Sequence, residues 1–286
     1  MNLSQNKNQK ILPTFVATYT DTVKFNRKPN EDFYLFSRQY PIFVIADGVT
    51  QSCFKSGGYA FPAGAKAAAE IFCYSILEFL EKNFQTEHSK ILIEKAFDLA
   101  NLRIKGLNQA EGITEKLDYA VYDYFDTVGV VGLIFGSNLY YGYVGDCGLM
   151  ILNKENKILF QTKDMVAPAL RQAKKFYKKK WDTFTKRKKL LILHKEFRNN
   201  PSGIGYGSFS GEEWVKKYYT IGNFPLKKED FVIFYSDGFV PYLKFKEFLK
   251  LLRRRNKKNL EKFIYKKADR NYQKFGTDRT LIAIEL

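Results

Sequence analysis

Two apolar runs that each stop at an Asp-Gly pair constrain this chain most. Ile42-Phe43-Val44-Ile45-Ala46 leads into Asp47-Gly48, and Phe231-Val232-Ile233-Phe234-Tyr235 leads into Ser236-Asp237-Gly238. A five-residue run with no polar alternation suits a strand covered on both faces. Such strands lie in the middle of sheets, so both aspartates are expected where central strands end.

The rest of the pattern fixes what surrounds those strands. Residues 14–20 and 32–36 read as short strands. Residues 63–84 show a helical apolar stripe through Ala65, Ala69, Phe72, Ile76, Phe79 and Leu80. Ser89 is placed to cap a second helix with Leu92, Ala96, Leu99 and Leu107 turned inward. Residues 128–135 and 139–144 flank Gly136-Ser137-Asn138, a hairpin turn, and residues 149–152 and 157–160 flank a second polar turn. Residues 245–252 and 260–268 read as helices, and residues 280–286 as a closing strand. Strands, two helices and then hairpins do not make a regular βαβ alternation. The expected fold class is α+β: two packed antiparallel β-sheets flanked by α-helices, an α-β-β-α sandwich. There is no repeat of fixed period and no Pro-rich linker. Residues 1–286 are expected to form a single domain, with a basic insertion at about 165–212.

Composition narrows the chemistry. Hydrophobic residues make up 45% of the 286 residues and charged ones 27%, a globular balance. No apolar run reaches the roughly 18 residues of a membrane-spanning helix. Residues 1–10 are polar and lack an apolar signal core, so a cytoplasmic location is expected. Cys53, Cys73 and Cys147 are odd in number and show no C-x-x-C spacing, against a disulfide framework or a thiolate zinc site. The histidines are His88 and His194, and His194, following Leu190–Leu193, reads as structural. Any metal site must therefore be built mainly from carboxylates, which favour hard ions such as Mg²⁺ or Mn²⁺.

The net charge of +17 is concentrated. Residues 171–198 hold twelve Lys/Arg against Asp182 and Glu196, and residues 244–270 hold twelve against Glu247, Glu261 and Asp269. A lysine-rich solvated surface explains this simply. Attraction to an anionic partner is the functional alternative. Charge alone also suggests nucleic-acid binding, which should then be salt-dependent and need no metal. The aromatic residues are interleaved with core patterns rather than set out as a stacking platform, so nucleic acid is not the expected partner.

Acidic residues recur at strand ends: Asp47, Asp237, Asp146 after Tyr143-Val144-Gly145, the pair Glu31-Asp32, and Asp278 before the last strand. One Asp-Gly is usually a turn. Several converging carboxylates are different, because each close pair repels by about 4 kcal/mol at 4 Å and an effective dielectric of 20. Such a cluster calls for cations. Two divalent ions about 3.5–4 Å apart can ionise a water and aim it in line at phosphorus.

These pieces resemble the type 2C metal-dependent protein phosphatases, in that family's order. Arg27-Lys28-Pro29-Asn30-Glu31-Asp32 is similar to R-x-x-N-x-D, and Val44-Ile45-Ala46-Asp47-Gly48 to V-x-D-G. Residues 58–69 are similar to the small-residue start of the first long helix. Tyr143-Val144-Gly145-Asp146-Cys147 resembles V-G-D-S, Ser236-Asp237-Gly238-Phe239 resembles S-D-G-[LF], and Thr277-Asp278-Arg279-Thr280 resembles the closing D-[ND]-x-[TS]. The resemblance implies hydrolysis of phosphoserine and phosphothreonine on proteins by a hydroxide bridging two Mn²⁺ or Mg²⁺ ions. Asp47 would bridge both ions, with the Gly48 carbonyl on one. Asp237 and Asp278 would hold the other, and Glu31 and Asp32 would coordinate directly or through water. Asp146 would help hold a weaker third ion, and Arg27 would grip phosphate oxygens by its planar fork. The basic insertion falls where the family has a flap, which suits acidic phosphoprotein substrates. A monomer is expected, with no membrane partner.

This chain also departs from the family. Val49 stands where some members have a histidine, and Cys147-Gly148 replace a serine and an arginine. Thr277 stands where the family's last aspartate lies, and Asp278 is one residue nearer the strand, a step that turns a side chain to the opposite face. The glycine-containing loop 274–277 can absorb that step, so the Asp278 carboxylate is expected to point into the acidic cluster. The alternative reading is a weak or inactive phosphatase-like module that binds phosphoproteins.

Overall fold

The computed structural model describes residues 14–20, 29–49, 54, 58–84 and 89–286. Among these residues there are ten strands: β1 Thr14–Tyr19, β2 Asp32–Phe36, β3 Ile42–Gly48, β4 Thr127–Phe135, β5 Asn138–Val144, β6 Gly148–Leu152, β7 Ile158–Gln161, β8 Thr220–Pro225, β9 Phe231–Tyr235 and β10 Arg279–Glu285. They form two five-stranded sheets, ordered β1-β10-β9-β6-β7 and β2-β3-β4-β5-β8. Every neighbouring pair is antiparallel.

The two apolar runs occupy central or near-central strands, as their lack of alternation predicts. Phe43 and Ile45 of β3 face Val232 and Phe234 of β9 in a core between the sheets, with the Phe43 and Phe234 rings stacked at 5.8 Å. The alternate residues look outward. Val44 and Ala46 pack under helices α1 (Gly64–Asn83) and α2 (Ser89–Ala110), and Ile233 and Tyr235 pack under helices on the opposite face. Helix α1 buries Ala65, Ala69, Phe72 and Ile76, the stripe read from sequence. In α2, Leu92 and Ala96 are buried, while Leu99 and Leu107 are half-buried.

A short helix α3 (Ile113–Lys116) precedes β4. Between β7 and β8 run α4 (Val166–Tyr177), α5 (Lys179–Thr183), α6 (Lys186–Ile192) and a π-helical turn, Leu193–Phe197. These close on a small core of their own, including Ala169, Ala173, Trp181, Ile192 and Phe197. The C-terminal side adds α7 (Val240–Leu243), α8 (Lys246–Arg253), α9 (Lys257–Arg270) and α10 (Tyr272–Phe275). Layer order is helix, sheet, sheet, helix. No helix among the described residues is long and apolar enough to cross a membrane.

Candidate active site

The strand ends predicted from sequence meet at one rim of the sandwich. β2 and β3 pair so that Asp32 lies opposite Asp47. From the facing sheet, Ser236 and Asp237 follow β9, and Asp278 precedes β10. A cavity of about 340 Å³ opens there, and Glu31, Asp47, Asp146, Asp237 and Asp278 line its floor. Glu31 and Asp32 are buried, Asp47, Asp146 and Asp278 are half-buried, and Asp237 is reached by solvent through the cavity. Arg27 lies outside the described residues.

Two glycines allow this crowding. A Cβ on Gly48 would stand 2.5 Å from the Ala65 carbonyl oxygen, and one on Gly238 would stand 2.1 Å from that of Asp278. Neither close approach tolerates a side chain. The second brings the Asp278 backbone against the Asp237 turn. There the Glu31 N–H donates to Asp278 Oδ2 at 3.2 Å, tying the two sheets together. Both Thr277 and Asp278 line the cavity, so the shifted aspartate sits beside the other acids.

The acids raise one another's affinity for protons. Burial, then the charges of Asp237 and Asp278, pushes Asp32 up to about 7 despite hydrogen bonds from Ser236 and Thr280. Burial and the charges of Asp237 and Asp164 push Asp146 up to about 8. Asp47 is driven well above the carboxylate range by burial and then by Asp32, Asp237 and Asp146. Asp237, crowded by protein yet open to the cavity, moves in the same direction. Asp164, which no sequence motif marked, joins the cluster through its charge, while its Oδ1 accepts the Val166 and Ala167 N–H groups.

No three carboxylate, imidazole or thiol side chains converge in metal-holding geometry among the described residues. The donor set nevertheless fits hard divalent cations. It is made of carboxylates that repel one another. Asp32 Oδ1 is buried without a hydrogen-bond partner, an arrangement that positive charge relieves.

The opposite wall comes from the basic segment and is mostly apolar there: Val166, Leu190 and Leu193, with His194 and Tyr206. His194, whose apolar neighbours in sequence mark it as structural, thus reaches the cavity. Behind it lies a buried ion network that sequence reasoning did not find. Arg198 Nη2 donates to Asp123 Oδ1 at 2.7 Å and Nη1 to Asp126 Oδ2 at 3.3 Å, while Nε lies 3.4 Å from Glu212. His194 Nδ1 lies 2.5 Å from Asp123 Oδ2. Burial pushes Asp123 up, but Arg198 and His194 outweigh it and hold this carboxyl far below its ordinary range. Arg198, counted from sequence with a solvated basic run, is in fact 3% exposed.

No family model matches the chain, and no curated protein matches it. Solved structures do. The Mycobacterium tuberculosis serine/threonine phosphatase PstP/Ppp is 15% identical over 96% of this chain and 98% of its own, with a TM-score of 0.61. Stp1, a serine/threonine phosphatase of Staphylococcus aureus, is 16% identical over 97% of this chain and 96% of its own, with a TM-score of 0.59. A PstP catalytic domain in complex with two manganese ions is 15% identical over 96% of both chains, with a TM-score of 0.59. At these identities the likeness is one of fold: the chain is built as the type 2C serine/threonine phosphatases are.

Proposed function

We propose that this protein hydrolyses phosphoserine and phosphothreonine on proteins with the help of bound Mn²⁺ or Mg²⁺. The observation that supports this most is the gathering of acids from both sheets at a single cavity, on a fold shared with such phosphatases. Asp47, Asp237, Asp278, Glu31, Asp32 and the Gly48 carbonyl are the residues that would hold two cations, with Asp146 at a weaker third site. The cations, when bound, supply charge to the phosphoryl oxygens and make water acidic enough to attack at neutral pH.

The chain's own residues do the rest. Ser236 Oγ donates to Asp32 Oδ2 at 2.7 Å and fixes that carboxylate. The Glu31 N–H holds Asp278 at the mouth of β10. Arg27 is assigned to phosphate oxygens on the sequence resemblance. Residues 165–212 act as a flap whose apolar face walls the cavity and whose lysines favour acidic phosphorylated segments. A phosphothreonine peptide incubated with and without Mn²⁺ tests the reading. Phosphate release should require the ion and stop on chelation. Equal release by protein proven metal-free overturns it.

A further inference from the structure

Breaking a phosphate ester of serine or threonine leaves an aliphatic alkoxide, a poor leaving group unless it is protonated as the bond breaks. Carboxylates that hold cations would be deprotonated, so the floor of the cavity would offer no proton in the metal-loaded protein, and beside it Val49 is apolar. We propose that His194 is the general acid that supplies this proton and that Asp123 is its positioning residue, an inference that rests on the phosphatase reading above.

The geometry carries the assignment. The His194 ring spends Nδ1 on Asp123 Oδ2 at 2.5 Å and makes no other hydrogen bond among the described residues. Nε2 is not one of the buried unpartnered nitrogens, although the residue is only 4% exposed, and the ring lines the cavity. A histidine kept only for packing is expected to have both buried nitrogens satisfied. This one leaves a single nitrogen unspent, on a residue that lines the same cavity as the acids. Asp123 is itself immobilised. Its Oδ1 accepts from Arg198 Nη2 at 2.7 Å and from the Tyr124 N–H at 2.9 Å. The Arg198 guanidinium lies over the rings of Tyr119 and Tyr124, at 5.7 and 5.3 Å. An ionised carboxylate on Nδ1 fixes the tautomer and aims Nε2. The π-helical turn Leu193–Phe197 presents the ring, and such turns recur at functional sites. Tyr206, the other polar side chain on this wall, is a poor acid because burial pushes its phenol up.

The step balances as follows. A water oxygen bonds to phosphorus while the bond from phosphorus to the serine or threonine oxygen breaks. The bonding pair goes to the departing oxygen, which takes the Nε2 proton of the imidazolium. One proton of the attacking water stays on the phosphate, and the other passes through solvent back to His194. The products are the free hydroxyl and monohydrogen phosphate. The charged groups around the ring are Asp123, then Arg198, Asp126 and Glu212 behind it, and Glu31, Asp47, Asp146, Asp237 and Asp278 on the cavity floor.

His194→Gln and Asp123→Asn, assayed with Mn²⁺ on a phosphothreonine peptide and on p-nitrophenyl phosphate, test this. General acid catalysis contributes about 10²–10⁴-fold where the leaving group needs it. His194→Gln should lose about 100-fold in kcat on the peptide and at least about tenfold less on p-nitrophenyl phosphate, whose leaving group departs as a stable anion. Asp123→Asn should show the same selectivity at smaller amplitude. Equal losses on both substrates, or no loss on either, overturn the assignment. Should the variants fail to fold, the wild type decides. Across a series of aryl phosphates, its kcat should depend only weakly on leaving-group acidity. A steep dependence overturns the proposal. A wild type inactive on every substrate with Mn²⁺ overturns the phosphatase reading instead.

Discussion

Ser236 and Asp32 stand 204 residues apart in the chain, yet the Ser236 hydroxyl donates to Asp32 Oδ2 at 2.7 Å across the two sheets. The same Oγ accepts the Thr280 N–H at 2.9 Å. One hydroxyl thus ties together β2, β9 and β10 at the rim. Ser236→Ala leaves a buried carboxylate oxygen and a buried amide short of a partner. It should destabilise the fold by about 1–3 kcal/mol and weaken Mn²⁺ binding, read by thermal denaturation and calorimetric titration. A variant unchanged in both would show that the hydroxyl is incidental.

Asp47→Asn and Asp237→Asn should each lower turnover by more than about 100-fold, a larger loss than removal of an outer contact gives. Neither should destabilise the metal-free protein, because a neutral amide suits a site where burial and neighbouring carboxylates already oppose the charged form. Melting curves in chelator, beside activity in Mn²⁺, check both halves.

Stability should depend on pH in an unusual direction. Asp32 and Asp126, both buried, sit at about 7 and about 6 in the folded chain, against about 3.9 when unfolded. The folded state therefore holds more protons between pH 4 and 7, and stability falls as pH rises through that window. Asp123, shifted the opposite way by Arg198 and His194, titrates below it. The metal-free protein should melt several degrees lower at pH 8 than at pH 5, and Mn²⁺ should recover most of the difference at pH 8. A flat profile in chelator would sink the argument.

Arg198→Met should cost about 3–5 kcal/mol, the range for removing one partner of a buried ion pair, because Asp123 and Asp126 are left facing each other without their cation. Chemical denaturation measures it. A loss under about 1 kcal/mol, typical of an exposed pair, would show that the network is solvated after all.

The sheets and the acidic floor were legible because local patterns report them. Uninterrupted apolar runs ending at Asp47 and Asp237 mark strands buried on both faces, and the Gly136-Ser137 hairpin marks itself. Strand β8 was not legible. Thr-Ile-Gly-Asn-Phe-Pro has no alternation, and its residues are exposed or half-buried at a sheet edge. The Arg198 network was hidden for another reason. Asp123 and Asp126 lie 75 and 72 residues away in the chain, and nothing in a lysine-rich run distinguishes the one arginine that turns inward. His194 was read from Leu190–Leu193 beside it, whereas its role follows from Asp123, which only the fold brings near. Asp164 resembles an ordinary helix cap and acts as one, so its second role as a charge near Asp146 left no trace in spacing.

Strand β10 lies between β1 and β9, so the first and last of the ten strands pair at one edge of a sheet. Contacts so distant along the chain form slowly. Asp278 reaches Glu31 and Thr280 reaches Ser236 only once this last strand is threaded. Until β10 docks, the proposed reaction centre is incomplete, so chemical competence would arrive with the placing of a single strand. On refolding, activity should return with the closing of the sandwich, after the helices have already formed.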